Sequence, residues 1–359
     1  MTRSFGLDMA RVAAIALVLL SHFAHDFEFV GIFGVELFFA LSGYLIGGVL
    51  YRSLLATPRW SFEDVRVFWM RRWYRTVPNY LLFLVVALFF HAYFGGLPTA
   101  RHLAAHLLFM QNMMSGDNAF YGVSWSLAVE EWFYLTFPLV ILAFTATGLH
   151  KRAAFVATTV VFIVAPSALR EFMLMHSPAE NVRMMTLPRL DAIFYGVGAA
   201  FLMGRRPLGD RARLACMLVG LSLTLTLALF ALYALDMDGV GVYRATFLLA
   251  PASFALMLPW LQRLAMPTGR LVFVRTPIKN LSLWSYSIYL SHIPVLFTVY
   301  ELFGRTREST AVNVLSKVVG LVACLGLSRF VFVHFEQRIT NMRPSERCLR
   351  LPRGSRSAL

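Results

Sequence analysis

The sequence predicts an all-α protein, a polytopic membrane helix bundle of about ten transmembrane helices with the N- and C-termini in the cytoplasm. Three observations predict this fold class. The 359 residues are 58% hydrophobic and only 14% charged, with a mean hydropathy of +0.65. Long apolar runs recur along the whole chain. Basic residues concentrate in alternate connecting segments, as they do on the cytoplasmic side of membrane proteins. No soluble globular domain has this balance.

Ten apolar runs are long enough to serve as membrane spans. They cover approximately residues 8–24, 31–51, 77–96, 122–147, 153–171, 187–204, 212–234, 243–264, 281–303 and 312–335. We assign residues 1–337 to one transmembrane domain and residues 338–359 to a basic cytoplasmic tail. We expect a multi-pass protein of the cell inner (plasma) membrane.

The positive charge follows the predicted topology. With the N-terminus inside, the inward segments contain Arg52, Arg59, Arg66, Arg71, Arg72, Arg75, Lys151, Arg152, Arg205, Arg206, Arg211, Arg213, Arg263, Arg270, Arg275 and Lys279. The outward segments contain Arg101, Arg170, Arg183, Arg305 and Arg307. The net charge of +14 is therefore mainly a topology signal. Because the arginines are dispersed among spans rather than gathered on one face, we predict no nucleic-acid partner; the expected surroundings are the lipid bilayer.

The segment before the third span predicts an interfacial element. Residues 61–75 form an amphipathic pattern, with Ser61 at a helix N-cap position and Trp69 and Trp73 at the membrane surface. Pro78 is expected to mark the entry to the third span. Elsewhere, three cysteines are too few and too scattered for a disulfide framework or a metal site, so we predict no bound metal.

The first span carries two polar residues, Arg11 and His22, in an otherwise apolar run. Eleven residues make about three helical turns with roughly 20° left over, so both side chains project from one face, about 16 Å apart along the axis. A cation inside a span normally faces the bundle interior or water and has a function. The alternative is that Arg11 reaches the cytoplasmic surface and His22 lies at the interface.

The fourth span begins with a second polar run, WSLAVEEWFY at 125–134. Glu130 is an intramembrane carboxylate, which requires a cation, a proton or a function. Ser126 and Tyr134 are each four residues from Glu130 and so form a polar stripe with it. The adjacent Glu131 cannot share that face, so we expect one carboxylate inside the bundle and the other at the interface or on a partner. For the aromatic residues, Trp125 included, an interfacial belt is the alternative interpretation.

Other polar residues interrupt later spans. Arg189 and Asp191 open the sixth span two residues apart, so each is expected to find a partner on another helix, unless they are only a helix-start pattern. Tyr289 and His292 lie mid-span before Pro294, which frees a backbone carbonyl. Glu36 lies at the outer end of the second span. Gly196 and Gly198 are expected to allow close helix packing.

Six of these runs together resemble the acyltransferase-3 family of integral membrane O-acyltransferases, over residues 11 to about 336. They are Arg11 with His22, GVELFFALSGYLIG, RRWYRTVPNY, WSLAVEEWFYL, RLDAIFYG and YSIYLSHIPV. The departures are Glu36 for the usual aspartate, Tyr44 for phenylalanine and Trp132 for glutamine. The sequence resembles members that lack the fused SGNH-type domain.

The resemblance implies transfer of an acyl group, commonly acetyl, from cytoplasmic acyl-CoA to a hydroxyl of a cell-envelope carbohydrate or related glycosylated acceptor. In that chemistry His22 is the base, or is transiently acylated, and Glu130 orients it or offsets its charge. Arg72 and Arg75 bind coenzyme A phosphates, and Arg11 holds the donor or polarises its thioester carbonyl. We therefore expect a water-accessible channel through the bundle.

Two other function classes fit parts of the sequence. A proton-coupled transporter or lipid-sugar flippase would also use buried arginine, histidine and carboxylate side chains. Against it, we find no internal repeat and no pair of glycine-broken spans. A non-catalytic membrane scaffold leaves the polar residues of the spans unexplained. Substrate flux without acyl-CoA would indicate transport, and tolerance of His22→Ala would indicate a scaffold.

Overall fold

A computed structural model describes residues 3–24, 29–116, 120–234, 239–303 and 310–343. The helices in chain order are α1 Phe5–Phe23, α2 Val30–Ala56, α3 Phe62–Phe94, α4 Ala100–Leu107, α5 Ser124–Ala146, α6 Lys151–Leu174, α7 Ala179–Met184, α8 Asp191–Arg205, α9 Asp210–Ala234, α10 Gly239–Leu261, α11 Arg275–Phe303, α12 Thr310–Val331 and α13 Gln337–Asn341. Short 3₁₀ helices cover Leu187–Arg189 and Gly269–Val274, and a π-helical turn covers Phe332–Glu336. The described residues contain no strand, which confirms the all-α prediction.

Within the described ranges, eight helices are long and apolar enough to cross a membrane. They are α1, α2, α3, α5, α6, α9, α10 and the helical run that continues from α12 to residue 341. Each of the other two predicted spans also coincides with a helix. Serine and tyrosine side chains interrupt the apolar residues of α11, and α8 has only 15 residues. A helix of that length rises about 22 Å, less than the hydrocarbon thickness.

The bundle is built around α2. It packs against α1 on one side and α8 on another, and α10 contacts both α2 and α8. The helix α11 packs against α1 and α12, whereas α9 packs mainly against α10. Apolar side chains on the outer helices, such as Leu229 at 67% and Leu302 at 76% exposure, lie on the bundle surface. Such an apolar outer surface is compatible with contact to the hydrocarbon chains of a lipid bilayer.

One sequence expectation about helix boundaries is wrong. Residues 61–75 do not form a separate interfacial helix, because α3 runs without a break from Phe62 to Phe94 with Pro78 inside it. Ser61 caps α3 as expected, in a capping box with Asp64. A proline is tolerated within a membrane helix where neighbouring groups satisfy the freed backbone. Two residues before Pro78, the Tyr286 hydroxyl donates to the Thr76 carbonyl oxygen at 2.8 Å and ties α11 to α3.

The predicted tail falls mostly outside the described residues. Its first residues, 338–341, continue the final helical run, so the predicted boundary after residue 337 lies inside a helix. Residues 344–359 lie outside the described ranges, as do Arg305 and Arg307.

Candidate active site

Five helices line an open cavity of about 270 Å³. The helices are α1, α2, α3, α5 and α11, which lie far apart in the sequence. Seven of the residues predicted from the sequence line it: Arg11, Arg72, Arg75, Ser126, Glu130, Tyr134 and Tyr289. The cavity therefore gathers three guanidinium groups, one carboxylate and several hydroxyls within one apolar bundle.

Glu130 is the carboxylate on the cavity wall. The Ser42 hydroxyl donates to its Oε1 at 2.6 Å, and the Tyr134 hydroxyl donates to its Oε2 at 3.2 Å. The predicted contact with Tyr134 is thus present. Ser126 instead bonds to the Tyr289 hydroxyl at 2.7 Å across the cavity wall. The two side chains link α5 to α11 at the start of α5.

Of the two alternatives for the second carboxylate, the interface or a partner, the structure favours a partner. Glu131 is buried, with 7% of its surface exposed, and Glu130 is half-buried on the cavity wall. Thr76 and Trp73 on α3 lie within hydrogen-bonding reach of Glu131. Because α3 packs against α5 on this face, both carboxylates lie inside the bundle although they point to different sides of α5.

The three arginines on the cavity differ in their surroundings. Arg11 donates to the Ser282 hydroxyl at 3.2 Å and lies 3.8 Å from Asp8. The Nε atom of Arg72 is buried without a hydrogen-bond partner in the described part of the chain, whereas the Arg75 side chain is exposed. Three cations facing one carboxylate make this cavity favourable for an anionic ligand.

His22 lies beside this cavity rather than on its wall. Its Nδ1 is 2.9 Å from the Val18 carbonyl oxygen and 3.0 Å from the Ser21 hydroxyl. A carbonyl oxygen only accepts, so Nδ1 carries the proton in this contact and Nε2 carries the lone pair. The backbone of α1 itself therefore selects the tautomer in which Nε2 can act as a base.

A pair of aromatic contacts connects His22 to the cavity. The His22 and His292 rings meet edge to face with centroids 4.8 Å apart. His292 in turn lies 5.6 Å from the Tyr289 ring, which lines the cavity. His292 is fully buried, its Nδ1 is 2.6 Å from the Tyr289 carbonyl oxygen, and its Nε2 has no hydrogen-bond partner among the described residues. Arg11 and His22 thus both contact α11, as their shared helical face predicts.

Trp125 does not belong to an interfacial belt. It is buried, its ring meets Phe39 edge to face at 6.0 Å, and the Arg183 guanidinium lies 5.6 Å from its ring centre. Tyr134 is buried as well, so the belt interpretation is wrong for both residues.

Glu36, Arg189 and Asp191 lie outside the cavity lining, in a separate buried cluster. Arg189 forms an ion pair with Glu36, and Asp191 forms one with Arg170 at 2.5 Å. All four side chains are nearly inaccessible to solvent. Both Arg189 and Asp191 therefore have partners on other helices, which is the arrangement that their spacing predicts.

The sequence interpretation did not single out several polar residues of this region. Ser42, Thr76, Ser285 and Tyr286 also line the cavity. Glu336 is buried behind it in the π-helical turn, where it accepts from the Ser287 hydroxyl at 2.6 Å and from the Asn79 amide at 3.0 Å. The available signal for Glu336 was an acidic residue at the end of an apolar run.

The chain is similar to acyl-transferring proteins. A family model described as "Acyltransferase domain" matches residues 4–331. "O-acetyltransferase OatA" of Staphylococcus aureus is 26% identical over 322 residues, which cover 83% of this chain and 51% of that protein. "Putative peptidoglycan O-acetyltransferase YrhL" of Bacillus subtilis is 27% identical over 313 residues, covering 81% and 48% respectively.

A third relative extends over more of the chain. "Peptidoglycan O-acetyltransferase OatA" of Listeria monocytogenes is 22% identical over 351 residues, which cover 93% of this chain and 55% of that protein. The chain thus spans about half the length of these relatives. No solved structure matches it.

Proposed function

The chain belongs to the acyltransferase domain family, and from this premise we propose that it transfers an acyl group from cytoplasmic acyl-CoA to a hydroxyl of a cell-envelope carbohydrate. The observation that carries the proposal is the cavity, which combines an excess of arginine with a chain of ring contacts from Tyr289 through His292 to His22. The names of the three relatives support an O-acetyl transfer, so acetyl is the proposed acyl group.

The donor end of the cavity contains the cationic residues. Arg72 has an unpartnered buried Nε, and Arg75 is exposed one helical turn further along α3. Guanidinium groups bind phosphates through paired N–H bonds. We assign the binding of the coenzyme A phosphates to Arg72 and Arg75. Arg11, which lines the same cavity, would guide the thioester end of the donor. Acyl-CoA supplies an activated acyl carbon with a thiolate leaving group.

His22 supplies the base. Its Nε2 takes the proton of the acceptor hydroxyl while the hydroxyl oxygen bonds to the acyl carbon. The carbon–sulfur bond then breaks, and the protonated His22 returns the proton to the departing thiolate, so atoms and charge balance. Arg11 lies about 16 Å from His22 along α1, so we assign it to holding the donor on its path rather than to the reacting carbonyl. Glu130 offsets the positive charge of the cavity arginines. It also offsets the charge that His22 acquires when it takes the proton.

The test is transfer of radiolabelled acetyl from acetyl-CoA to envelope glycans by the chain in nanodiscs. We expect His22→Ala to lower the rate by roughly 100-fold or more, the usual contribution of a general base. His176→Ala is the matched control, because His176 is an exposed histidine at the end of α6, and it should leave the rate unchanged. Undiminished transfer by His22→Ala would contradict the role of His22.

A second measurement addresses the donor. Arg72→Ala and Arg75→Ala should raise the KM for acetyl-CoA and weaken its binding in calorimetry. Arg66→Ala on the same helix should not, since Arg66 forms an ion pair with Glu63 and does not line the cavity. Substrate flux into proteoliposomes without acetyl-CoA, together with no transfer to any glycan, would contradict an acyltransferase and indicate a carrier.

A further inference from the structure

A cluster of three arginines and two carboxylates lies near the start of α5. Arg189 pairs with Glu36, and Arg170 pairs with Asp191. The third arginine, Arg183 on the short helix α7, forms no ion pair within the described residues. The cluster therefore contains one more positive charge than negative charge, and Arg183 is the group without a counter-ion.

The surroundings of Arg183 make that charge costly. Its guanidinium lies over the Trp125 ring at 5.6 Å, and its Nε is buried without a hydrogen-bond partner in the described ranges. Burial lowers the pKa of Arg183 from its usual value, which indicates poor hydration of the cation. The charged or titratable groups that face it are Tyr243, Tyr289, Arg189 and Glu36, of which only Glu36 is acidic, and Glu36 is already paired. A cation in this setting favours an added anion.

Arg183 also lies next to the cavity wall. Trp125, beneath its guanidinium, precedes Ser126, which bonds the Tyr289 hydroxyl, and both Ser126 and Tyr289 line the cavity. The arginines assigned to the donor lie further along the bundle. Trp69, one turn before Arg72, donates to the Tyr134 carbonyl oxygen at 3.0 Å. Trp125 and Tyr134 are separated by about 14 Å along α5.

We infer that Arg183 binds a carboxylate of the carbohydrate acceptor, so that the acceptor is an acidic sugar. The inference rests on the proposed function, because it names the acceptor class of the same reaction. A single planar guanidinium matches one carboxylate with two parallel N–H···O bonds. The cluster has one surplus positive charge, which one carboxylate neutralises, whereas a phosphate monoester would bring close to two negative charges.

The experiment compares matched acceptors in nanodiscs with acetyl-CoA. Each of three trisaccharides, containing glucuronate, galacturonate or muramate, is offered as the free acid and as its methyl ester. We expect at least one acid to exceed its ester in kcat/KM by about 10- to 100-fold, the usual value of a charge-assisted hydrogen bond. Arg183→Gln should bring the acid-to-ester ratio of kcat/KM to about 1 and leave the KM for acetyl-CoA unchanged.

Two control variants separate binding from structure. Arg183→Lys keeps the charge without the planar fork and should retain part of the acid preference. Arg101→Gln removes an exposed positive charge on α4 and should leave the ratio intact. Equilibrium binding of the same trisaccharides without acetyl-CoA provides a second readout, in which Arg183→Gln should lose affinity for the acid alone.

The outcomes distinguish this inference from the proposed function. Equal kcat/KM for acid and ester in all three pairs, or an acid preference that persists in Arg183→Gln, would overturn the assignment of Arg183. A phosphate-bearing trisaccharide is offered beside the three pairs, and a preference for it over the carboxylates would overturn the assignment of a carboxylate ligand. The absence of any transfer from acetyl-CoA would count against the proposed function, whereas acid binding that depends on Arg183 would still support the anion site.

Discussion

At the scale of single residues, the contribution of an ion pair to the stability of this protein depends on how deeply the pair is buried. Arg189 and Glu36 are 0% and 1% exposed, and Arg189 also lies over the Phe247 ring at 4.3 Å. By contrast, Arg244 and Glu171 are nearly half exposed at 2.9 Å. Removing one partner of a buried pair leaves a charge that nothing compensates, whereas an exposed pair contributes little.

We therefore predict that Glu36→Gln destabilises the protein by about 3–5 kcal/mol, because Arg189 stays charged in the bundle interior. The matched change, Glu171→Gln, should cost about 0–1 kcal/mol. Thermal unfolding in detergent, followed by tryptophan fluorescence, measures both. Equal stability losses for the two variants would contradict the weight given to burial. The double variant Glu36→Leu/Arg189→Met should recover much of the loss, since it leaves no lone charge.

The sequence predicts which polar residues are unusual more readily than what each one contacts. Arg11 and His22 were identified by spacing alone, and both do contact α11. Ser42 could not be identified in the same way, although it bonds Glu130 at 2.6 Å. A serine in a membrane helix is not costly to bury, because its hydroxyl can bond to its own helix backbone. Its presence in the sequence therefore does not indicate a functional role. Its partner is set by the rotation of α2 against α5.

At the scale of helices, the close contact between α2 and α8 depends on small residues. The backbones of α2 and α8 approach so closely that a Cβ at Gly196 would overlap the Ala40 carbonyl oxygen, and a Cβ at Gly43 would overlap the Ile193 carbonyl oxygen. The contact continues one turn along α2, where Gly47 faces Val197. Such small-residue interfaces are a common means of packing helices in membranes.

Gly196→Ala is accordingly expected to destabilise the bundle by about 1–3 kcal/mol, the usual cost of overpacking. Gly198 is a matched control on the same helix, because a Cβ there meets no atom within 4 Å. Gly198→Ala should be neutral or stabilise the protein by up to about 1 kcal/mol through helix propensity. Melting temperatures of the two variants in one detergent test this difference. A lower melting temperature for Gly198→Ala than for Gly196→Ala would contradict the packing described.

Helix existence was predictable, and helix continuity was not. All ten predicted spans coincide with helices, because long apolar runs must satisfy their backbone internally. The division at Pro78 failed because a proline marks a missing amide in the sequence, whereas packing in the bundle lets α3 continue through it from Phe62 to Phe94. Likewise, the 3₁₀ turn at Leu187–Arg189 shortens α8, whose start is enclosed by α6 and α7 rather than by lipid.

At the scale of the whole molecule, the cavity depends on contacts that no local pattern contains. Its wall comes from five helices, and the polar residues of each point inward only because of how the bundle packs. Spacing within one helix predicted the Glu130–Tyr134 contact. It could not predict that Ser126 bonds Tyr289 or that Arg183 stacks on Trp125. Ser126 and Tyr289 are 163 residues apart in the sequence. In both pairs the two residues lie on separate helices.

The orientation of the bundle follows from charge and has a direct test. The arginines from Arg52 to Arg75, which flank the turn between α2 and α3, are predicted inside the cell. The helix α3 should therefore cross the membrane and place Leu97, which is 77% exposed, outside. In a background without Cys216, Cys324 and Cys348, Leu97→Cys should react with an impermeant maleimide on intact spheroplasts. Arg59→Cys, also at an exposed position, should react only after permeabilisation.

This labelling pattern bears on how the reaction is divided across the membrane. His22 lies at the end of α1 that corresponds to the predicted outer end of α3, whereas Arg72 and Arg75 lie nearer its inner end. If the two cysteines react as expected, a donor entering past the arginines must reach His22 through the bundle, and acceptors would enter near Arg183. The reverse labelling would place His22 and Arg183 on the cytoplasmic side and contradict transfer across the membrane. Equal labelling of both cysteines in intact spheroplasts would show that α3 does not cross.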